Sequence, residues 1–167
     1  MSFKVPNIPI CVAVACCGVA LIFQIVAVAG TGWVVSESGQ FGLFRVCASG
    51  VCVEITSSLS SDWWKAVQAF SIMGLLTILG SLALGILHFF KENNKELASA
   101  GIACCCVSVI FLIIELAVFG AEMVVGGRSV LGTTQYGYGF ILSVIACILS
   151  AIAAVLFGVG KRKGVYE

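Results

Sequence analysis

Two cysteines carry the clearest chemistry in the sequence. Cys47 and Cys52 are separated by four residues, and stretches of β-favouring residues lie on both sides of them. Oxidation of two thiols at this spacing closes a small covalent ring, which the chain-entropy relation makes worth roughly 2 kcal/mol. The alternative is a pair of free thiols, but exposed thiols outside a cell become oxidised. A structural disulfide is therefore expected here.

The segment around the two cysteines predicts a β-hairpin, because a β-rich run lies on each side of a turn that contains Gly50. A register that pairs the two cysteines places successive pairs on alternate faces. One face is then apolar, and the other carries an opposite-charge pair beside the cysteines. The predicted pairs are Cys47 with Cys52, Val46 with Val53, Arg45 with Glu54, and Phe44 with Ile55.

Glu115 lies near the middle of a long apolar run. A carboxyl group at the centre of a bilayer costs about 2.5 to 3.5 kcal/mol on insertion scales, so it should face protein and find a partner. Gln24 lies at a compatible depth, and its amide can accept from a protonated Glu115 or donate to an ionised one. A structural hydrogen bond between the two is expected rather than a proton or ion role, because no second charge inside the bilayer completes a relay.

The remaining chemistry-bearing residues form no catalytic pattern. The sequence contains no nucleophile–base–acid arrangement, no glycine-rich phosphate loop and no basic face for nucleic acid. His88 is the only histidine, so no second imidazole is present to complete a metal site. The sequence therefore predicts a protein that is not an enzyme, needs no cofactor and does not bind nucleic acid.

Composition indicates an integral membrane protein, because 60% of the residues are hydrophobic and only 10% are charged, against about 25% charged in soluble proteins. Four apolar runs are each long enough to cross a hydrocarbon core of about 30 Å as a helix. The predicted fold is a membrane all-α, antiparallel four-helix bundle in one domain, residues 1–167. The helices are expected at about residues 8–30, 66–90, 97–125 and 136–160, with loops at 31–65 and 126–135.

Basic residues predict the orientation of the bundle. The positive-inside rule places the richer side in the cytoplasm, so both termini are expected there and both predicted loops outside. The hairpin then lies in an oxidising compartment, as a small disulfide-linked extracellular sheet. The richer side carries Lys4, Lys91, Lys95, Lys161, Arg162 and Lys163, and the other side carries Arg45, Lys65 and Arg128.

Small residues recur every four positions along the fourth run and form two adjacent stripes. Such stripes let helix backbones approach closely within lipid. They predict a helix packed on both flanks inside the bundle, with contact to a second copy of the protein as the alternative. One stripe is Gly139, Ser143, Cys147 and Ala151, and the other is Ala146, Ser150, Ala154 and Gly158.

With these elements in place, the chain resembles the claudin superfamily of four-helix membrane proteins, which includes the peripheral myelin and epithelial membrane proteins. The resemblance covers nearly the whole chain. Phe44 stands where the family usually has tryptophan. The residues that carry the resemblance are Trp33, Gly42-Leu43-Phe44, Cys47 and Cys52, with Trp63-Trp64 and the segment Tyr136-Gly-Tyr-Gly-Phe140 as further marks.

The resemblance implies a plasma-membrane tetraspan that works by lateral and trans contacts at cell–cell junctions or membrane appositions. Its expected partners are the lipid bilayer and further copies of itself or related tetraspans. The alternative is an auxiliary subunit that binds an ion channel or receptor through its helices, as the calcium-channel γ subunits of the same superfamily do. If the protein lines a paracellular path, loop charges set the field for passing ions; otherwise they only solvate the loops. The candidate charges are Glu37, Arg45, Glu54, Asp62 and Arg128.

Overall fold

Long helices account for most of the chain. The computed structural model describes residues 8–36, 39–56, 61–90, 95–126 and 135–163. Within these ranges four helices are long and apolar enough to cross a membrane, so the protein is a multi-pass membrane protein. The helices are α1 (Ile8–Ala29), α2 (Asp62–Phe90), α3 (Lys95–Gly126) and α4 (Tyr138–Lys163).

A small antiparallel sheet lies at one end of the bundle, which we call the sheet end. Its strands run in the order β4-β3-β2-β1-β5, so β4 and β5 form the two edges. The first four strands come from the segment between α1 and α2, and the fifth precedes α4. They are β1 (Val34–Ser36), β2 (Gly39–Phe41), β3 (Arg45–Ala48), β4 (Val51–Glu54) and β5 (Gln135–Tyr136).

Three helices extend beyond the apolar runs that predicted them. α2 begins at Asp62 rather than at residue 66, and the Lys65 amide donates to the Ser61 carbonyl at 3.2 Å to close its first turn. The Asp62 carboxylate lies where the helix dipole favours negative charge. Hydropathy marks the part of a helix that suits hydrocarbon, so it omits the polar residues that begin α3 and those that end α4.

The start of α4 differs from its prediction, because Tyr136 belongs to a strand and the helix begins at Tyr138. Val34 pairs with Tyr136, and the Gly137 amide donates to the Trp33 carbonyl at 2.9 Å. Backbone hydrogen bonds to β1 therefore hold these residues in the sheet. The second predicted loop thus contributes a strand that the sequence did not indicate.

Each helix packs mainly against two neighbours, so the helices form a ring in the order α1, α2, α3, α4. α4 lies between α1 and α3, which confirms the prediction that it is packed on both flanks. Ser143, Ala146 and Ser150 are buried in these contacts, whereas Ala151 in the first small stripe is exposed. The stripes therefore overestimate how much of α4 faces protein.

The bundle interior contains three apolar clusters at successive depths. The sheet-side cluster consists of Ala27, Trp33, Val34, Leu43, Trp64, Val67 and Phe119. The middle cluster consists of Ala20, Ile78, Leu112 and Ala146. The far cluster, at the end away from the sheet, consists of Ile10, Ala13, Cys17, Cys105, Ala153 and Phe157. Cys17 and Cys105 serve there as small buried side chains.

Candidate functional site

Trp33 joins the sheet to the bundle. Its side chain is fully buried, and its indole Nε1 donates to the Ala27 carbonyl near the end of α1 at 2.6 Å. The ring meets Phe119 of α3 edge to face, with centroids 4.9 Å apart, and Phe140 of α4 at 6.4 Å. A buried aromatic ring contributes apolar contact, and the hydrogen bond of its N–H group fixes the orientation of the ring. One residue beside β1 thus contacts three helices.

The segment Gly42-Leu43 fastens the other half of the sheet. Leu43 is fully buried, and its carbonyl accepts hydrogen bonds from Trp64 Nε1 at 2.9 Å and Gln68 Nε2 at 2.5 Å. A Cβ on Gly42 would lie 2.2 Å from the Gly30 carbonyl oxygen, so only glycine allows this approach. The turn before β3 is therefore held against the ends of α1 and α2.

Trp64 departs from the usual role of tryptophans at the start of a membrane helix, which is to anchor the helix at the interface. Trp64 is instead buried beneath the sheet as a hydrogen-bond donor, and its ring lies 5.1 Å from that of the half-buried Trp63. The acceptor that Trp64 needs is the Leu43 carbonyl, whose position depends on the folded sheet and not on local sequence.

The second loop is attached through the segment that begins at Tyr136. The Tyr136 and Phe140 rings lie 4.7 Å apart, and both also lie close to Phe119. The Thr31 amide donates to the Tyr138 hydroxyl at 3.2 Å. The resemblance pointed to this segment without a role, and the structure gives it one: it joins α4 to β1.

The hairpin formed by β3 and β4 has the predicted register. Cys47 and Cys52 are directly opposite each other and are joined by a disulfide. Arg45 opposes Glu54, and the Ile55 amide donates to the Phe44 carbonyl at 2.9 Å. Ser49 and Gly50 both have positive φ, 52° and 83°, as hairpin turns that match the strand twist require. The predicted disulfide-linked antiparallel sheet is confirmed.

The apolar face of the hairpin is covered at its base and uncovered towards its tip. Phe44 and Ile55 pack against the sheet-side cluster. Two residues along on the same face, Val53 is 62% exposed, and Val51 beyond it is 65% exposed. β4 is also an edge strand, so no other strand in the described ranges pairs with its outer side. An unpaired edge and an apolar face thus coincide.

The candidate loop charges form local pairs where the structure describes them. Arg45 and Glu54 approach to 3.8 Å on the face opposite Val53, and Lys65 and Asp62 approach to 3.6 Å at the start of α2. All four side chains are largely exposed, and such pairs contribute about 0 to 1 kcal/mol. Glu37 and Arg128 lie outside the described residues.

Four buried polar side chains, one from each helix, meet between the sheet-side and middle clusters; we call them the polar layer: Gln24, Ser71, Glu115 and Ser143. Gln24 Nε2 donates to Glu115 Oε2 at 3.4 Å, so the two residues expected to pair are in contact. The same nitrogen donates to Ser71 Oγ at 3.2 Å. Sequence analysis missed Ser71 and assigned Ser143 only a packing role, because their depth relative to Glu115 depends on how the helices align.

The described residues include no group of three or more histidine, cysteine, aspartate or glutamate side chains that could hold a metal ion. The polar layer contains a single carboxyl group, and its other polar atoms are amide and hydroxyl groups. The two features that stand out are therefore a surface, the hairpin, and an interior cluster, the polar layer.

The chain is similar to known membrane proteins over most of its length. The profile described as the PMP-22/EMP/MP20/Claudin family matches residues 8–157. Epithelial membrane protein 1 of Oryctolagus cuniculus is 32% identical over 136 residues, which cover 78% of this chain and 83% of that protein. Lens fiber membrane intrinsic protein of Rattus norvegicus is 28% identical over 151 residues, covering 85% of each chain. The human protein of that name gives 28% over 152 residues.

Proposed function

Because this chain belongs to the PMP-22/EMP/MP20/Claudin family of membrane proteins, we propose that it is a non-enzymatic plasma-membrane protein that acts through protein contacts at cell–cell junctions or membrane appositions. The sheet end faces outwards in this proposal, and the opposite helix ends face the cytoplasm. Lys161 and Arg162 at the far end of α4 support this orientation, because basic residues concentrate on the cytoplasmic side. The disulfide in the hairpin supports it as well, since disulfides persist in oxidising compartments.

The exposed hairpin is the observation that carries the proposal. Its tip presents Val51 and Val53 to the surroundings together with the unpaired edge of β4. Sheet edges bind partners by adding a strand, in which backbone hydrogen bonds give affinity and side chains give specificity. The disulfide and the buried base order the hairpin before binding, which lowers the entropy that an association has to overcome. Such a surface suits both lateral contacts and contacts across an intercellular gap.

The runner-up function is an auxiliary subunit of an ion channel or receptor. That role uses an outward-facing helix stripe within the membrane. α4 presents a stripe of exposed β-branched residues, but the same stripe suits contact with lipid, so it does not favour this function over the first. The stripe consists of Ile141, Ile145, Ile148, Ile152, Val155 and Val159.

Expression in non-adherent cells tests the proposal. Cells that express the protein with either of two fluorescent labels are mixed with cells that do not express it. Fluorescence is then compared between contacts of two expressing cells and contacts of one expressing and one non-expressing cell. Enrichment at the first kind of contact supports adhesion in trans. Uniform distribution contradicts it and favours the auxiliary subunit.

A pair of variants locates the contact. Val51→Ser combined with Val53→Ser removes the exposed apolar face and leaves the disulfide in place, so enrichment should fall while surface delivery is unchanged. Val51→Ile combined with Val53→Ile keeps an apolar, β-favouring surface and should retain enrichment. Full enrichment in the serine variant would place the contact elsewhere on the protein.

A further inference from the structure

The polar layer is enclosed on every side. All four of its residues are fully buried, and each comes from a different helix. The sheet-side cluster covers it towards the sheet, and the middle cluster covers it on the other side. Polar groups enclosed in this way can form hydrogen bonds only with one another or with a bound ligand.

Three oxygens in the polar layer make no well-formed hydrogen bond within the described residues: Gln24 Oε1, Glu115 Oε1 and Ser143 Oγ, although the Ser143 hydroxyl lies beside the Glu115 carboxyl group. The Gln24 amide nitrogen already donates two hydrogen bonds, to Ser71 and to the other Glu115 oxygen. The Gln24 and Glu115 oxygens are acceptors when the carboxyl group is ionised. A ligand that binds these oxygens must therefore carry positive charge or hydrogen-bond donors.

The chemistry of these oxygen atoms determines what kind of ligand they can bind. A set of carboxylate, amide and hydroxyl oxygens suits hard cations rather than soft transition metals. Glu115 is the only acidic or basic side chain among the buried residues of the described helices. One negative charge inside a bilayer is balanced by one positive charge, whereas a divalent ion would leave a net charge in hydrocarbon.

We propose that the polar layer binds one monovalent alkali cation, Na⁺, between the carboxylate of Glu115 and the side-chain oxygens of Gln24 and Ser143. The cation draws α1, α3 and α4 together, and the hydrogen bond from Gln24 Nε2 to Ser71 Oγ helps to orient the Gln24 amide. Because the two apolar clusters cover the polar layer, the cation stabilises the bundle and is not conducted through it.

Thermal unfolding of the purified full-length protein in detergent tests the site. Midpoints are measured in NaCl and in choline chloride at equal ionic strength, with Na⁺ alone as the probe. Since a ligand that binds only the folded state raises stability with its concentration, the midpoint should rise with Na⁺. Glu115→Gln should remove this dependence. Glu122→Gln, which makes the same charge change on the same helix outside the polar layer, should keep it.

Two results would overturn the proposal. Coincident midpoints in NaCl and choline chloride for the unaltered protein would mean that a proton or water, and not Na⁺, satisfies the polar layer. An equal Na⁺ effect in Glu115→Gln would mean that the ion acts elsewhere. If Glu115→Gln does not fold, Ser143→Ala retains the charge and removes one oxygen, so the half-maximal Na⁺ concentration should rise several-fold. An unchanged value would contradict the site.

Discussion

Two tryptophans attach the sheet to the bundle at the scale of single residues. Trp33 donates to the Ala27 carbonyl of α1, and Trp64 of α2 donates to the Leu43 carbonyl beside β3. The bonds run in opposite directions, one from sheet to helix and one from helix to sheet. Both acceptors are backbone carbonyls at places where the chain leaves regular structure. Trp33 therefore satisfies a carbonyl that would otherwise be buried unpaired, and Trp64 shares the Leu43 carbonyl with Gln68.

Trp33→Phe keeps most of the buried aromatic surface and removes the donor to Ala27. The carbonyl then loses its partner in a buried position, so the free energy of unfolding should fall by about 1 to 3 kcal/mol. Thermal or denaturant unfolding in detergent measures the change. Trp63→Phe removes the same atoms from a half-buried ring and should lower the free energy of unfolding by less. An equal decrease in both variants would show that ring size, and not the hydrogen bond, matters at Trp33.

Glu115 is expected to act structurally through its contact with Gln24. Glu115→Gln keeps the shape and hydrogen-bonding capacity, so the variant should fold, reach the cell surface and accumulate at contacts nearly as the unaltered protein does. Glu115→Ala removes an acceptor of the Gln24 amide and should lower the free energy of unfolding by about 1 to 3 kcal/mol. Loss of contact accumulation by fully folded, surface-delivered Glu115→Gln would contradict a purely structural role and require that the charge of Glu115 take part in the contact function itself.

At the scale of elements, the hairpin depends on its disulfide and its base. A two-stranded ribbon alone is marginal in water, and the strands beyond Phe44 and Ile55 have little covering them. The ring that Cys47 and Cys52 close lies in this uncovered part. The disulfide therefore contributes where packing contributes least.

Peptide mapping under non-reducing conditions should find both hairpin thiols blocked to alkylation in surface-delivered protein. Replacing Cys47 and Cys52 together by serine should lower the stability of the hairpin by roughly 2 kcal/mol and reduce accumulation at cell contacts. The remaining seven cysteines are left in place, and their alkylation after denaturation serves as an internal control. Alkylation of Cys47 or Cys52 in folded protein would exclude the disulfide.

The loop charges act as selectivity groups only if the protein lines a paracellular path. In that case neutralising Glu37, Glu54 or Asp62 should shift dilution potentials across an expressing epithelial monolayer towards anion preference, because each change removes negative charge near the path. Glu54→Gln also frees Arg45 from its ion pair, which adds to the shift. Arg45→Gln is the matched opposite change. No shift with any of the acidic variants would leave these groups as solvating charges.

At the scale of the whole molecule, local patterns predicted the hairpin and the helices well. The register at Cys47 and Cys52 follows from alternation over a few residues, and each helix follows from an apolar run. β1, β2 and β5 were missed because they are two or three residues long and are formed by pairing between distant segments. Such strands depend on tertiary hydrogen bonds more than on the intrinsic preference of their residues.

Features that depend on the alignment of helices were predicted only in part. The depth of Gln24 and Glu115 along their runs was sufficient to propose their contact. Ser71 and Ser143 carry no comparable signal, because serine is common among packed membrane helices and both residues lie beside Glu115 only when α2 and α4 take their observed heights.

The attachment of the sheet also determines where a mechanical load would go. A pull on the hairpin tip passes through the turn at Leu43 to Trp64 and Gln68 of α2. It passes across the sheet to β1, where Trp33 connects it to α1, and the backbone of Gly137 connects it to the start of α4. Tension between two adhering membranes would thus be shared among three helices, and a single helix need not bear it alone.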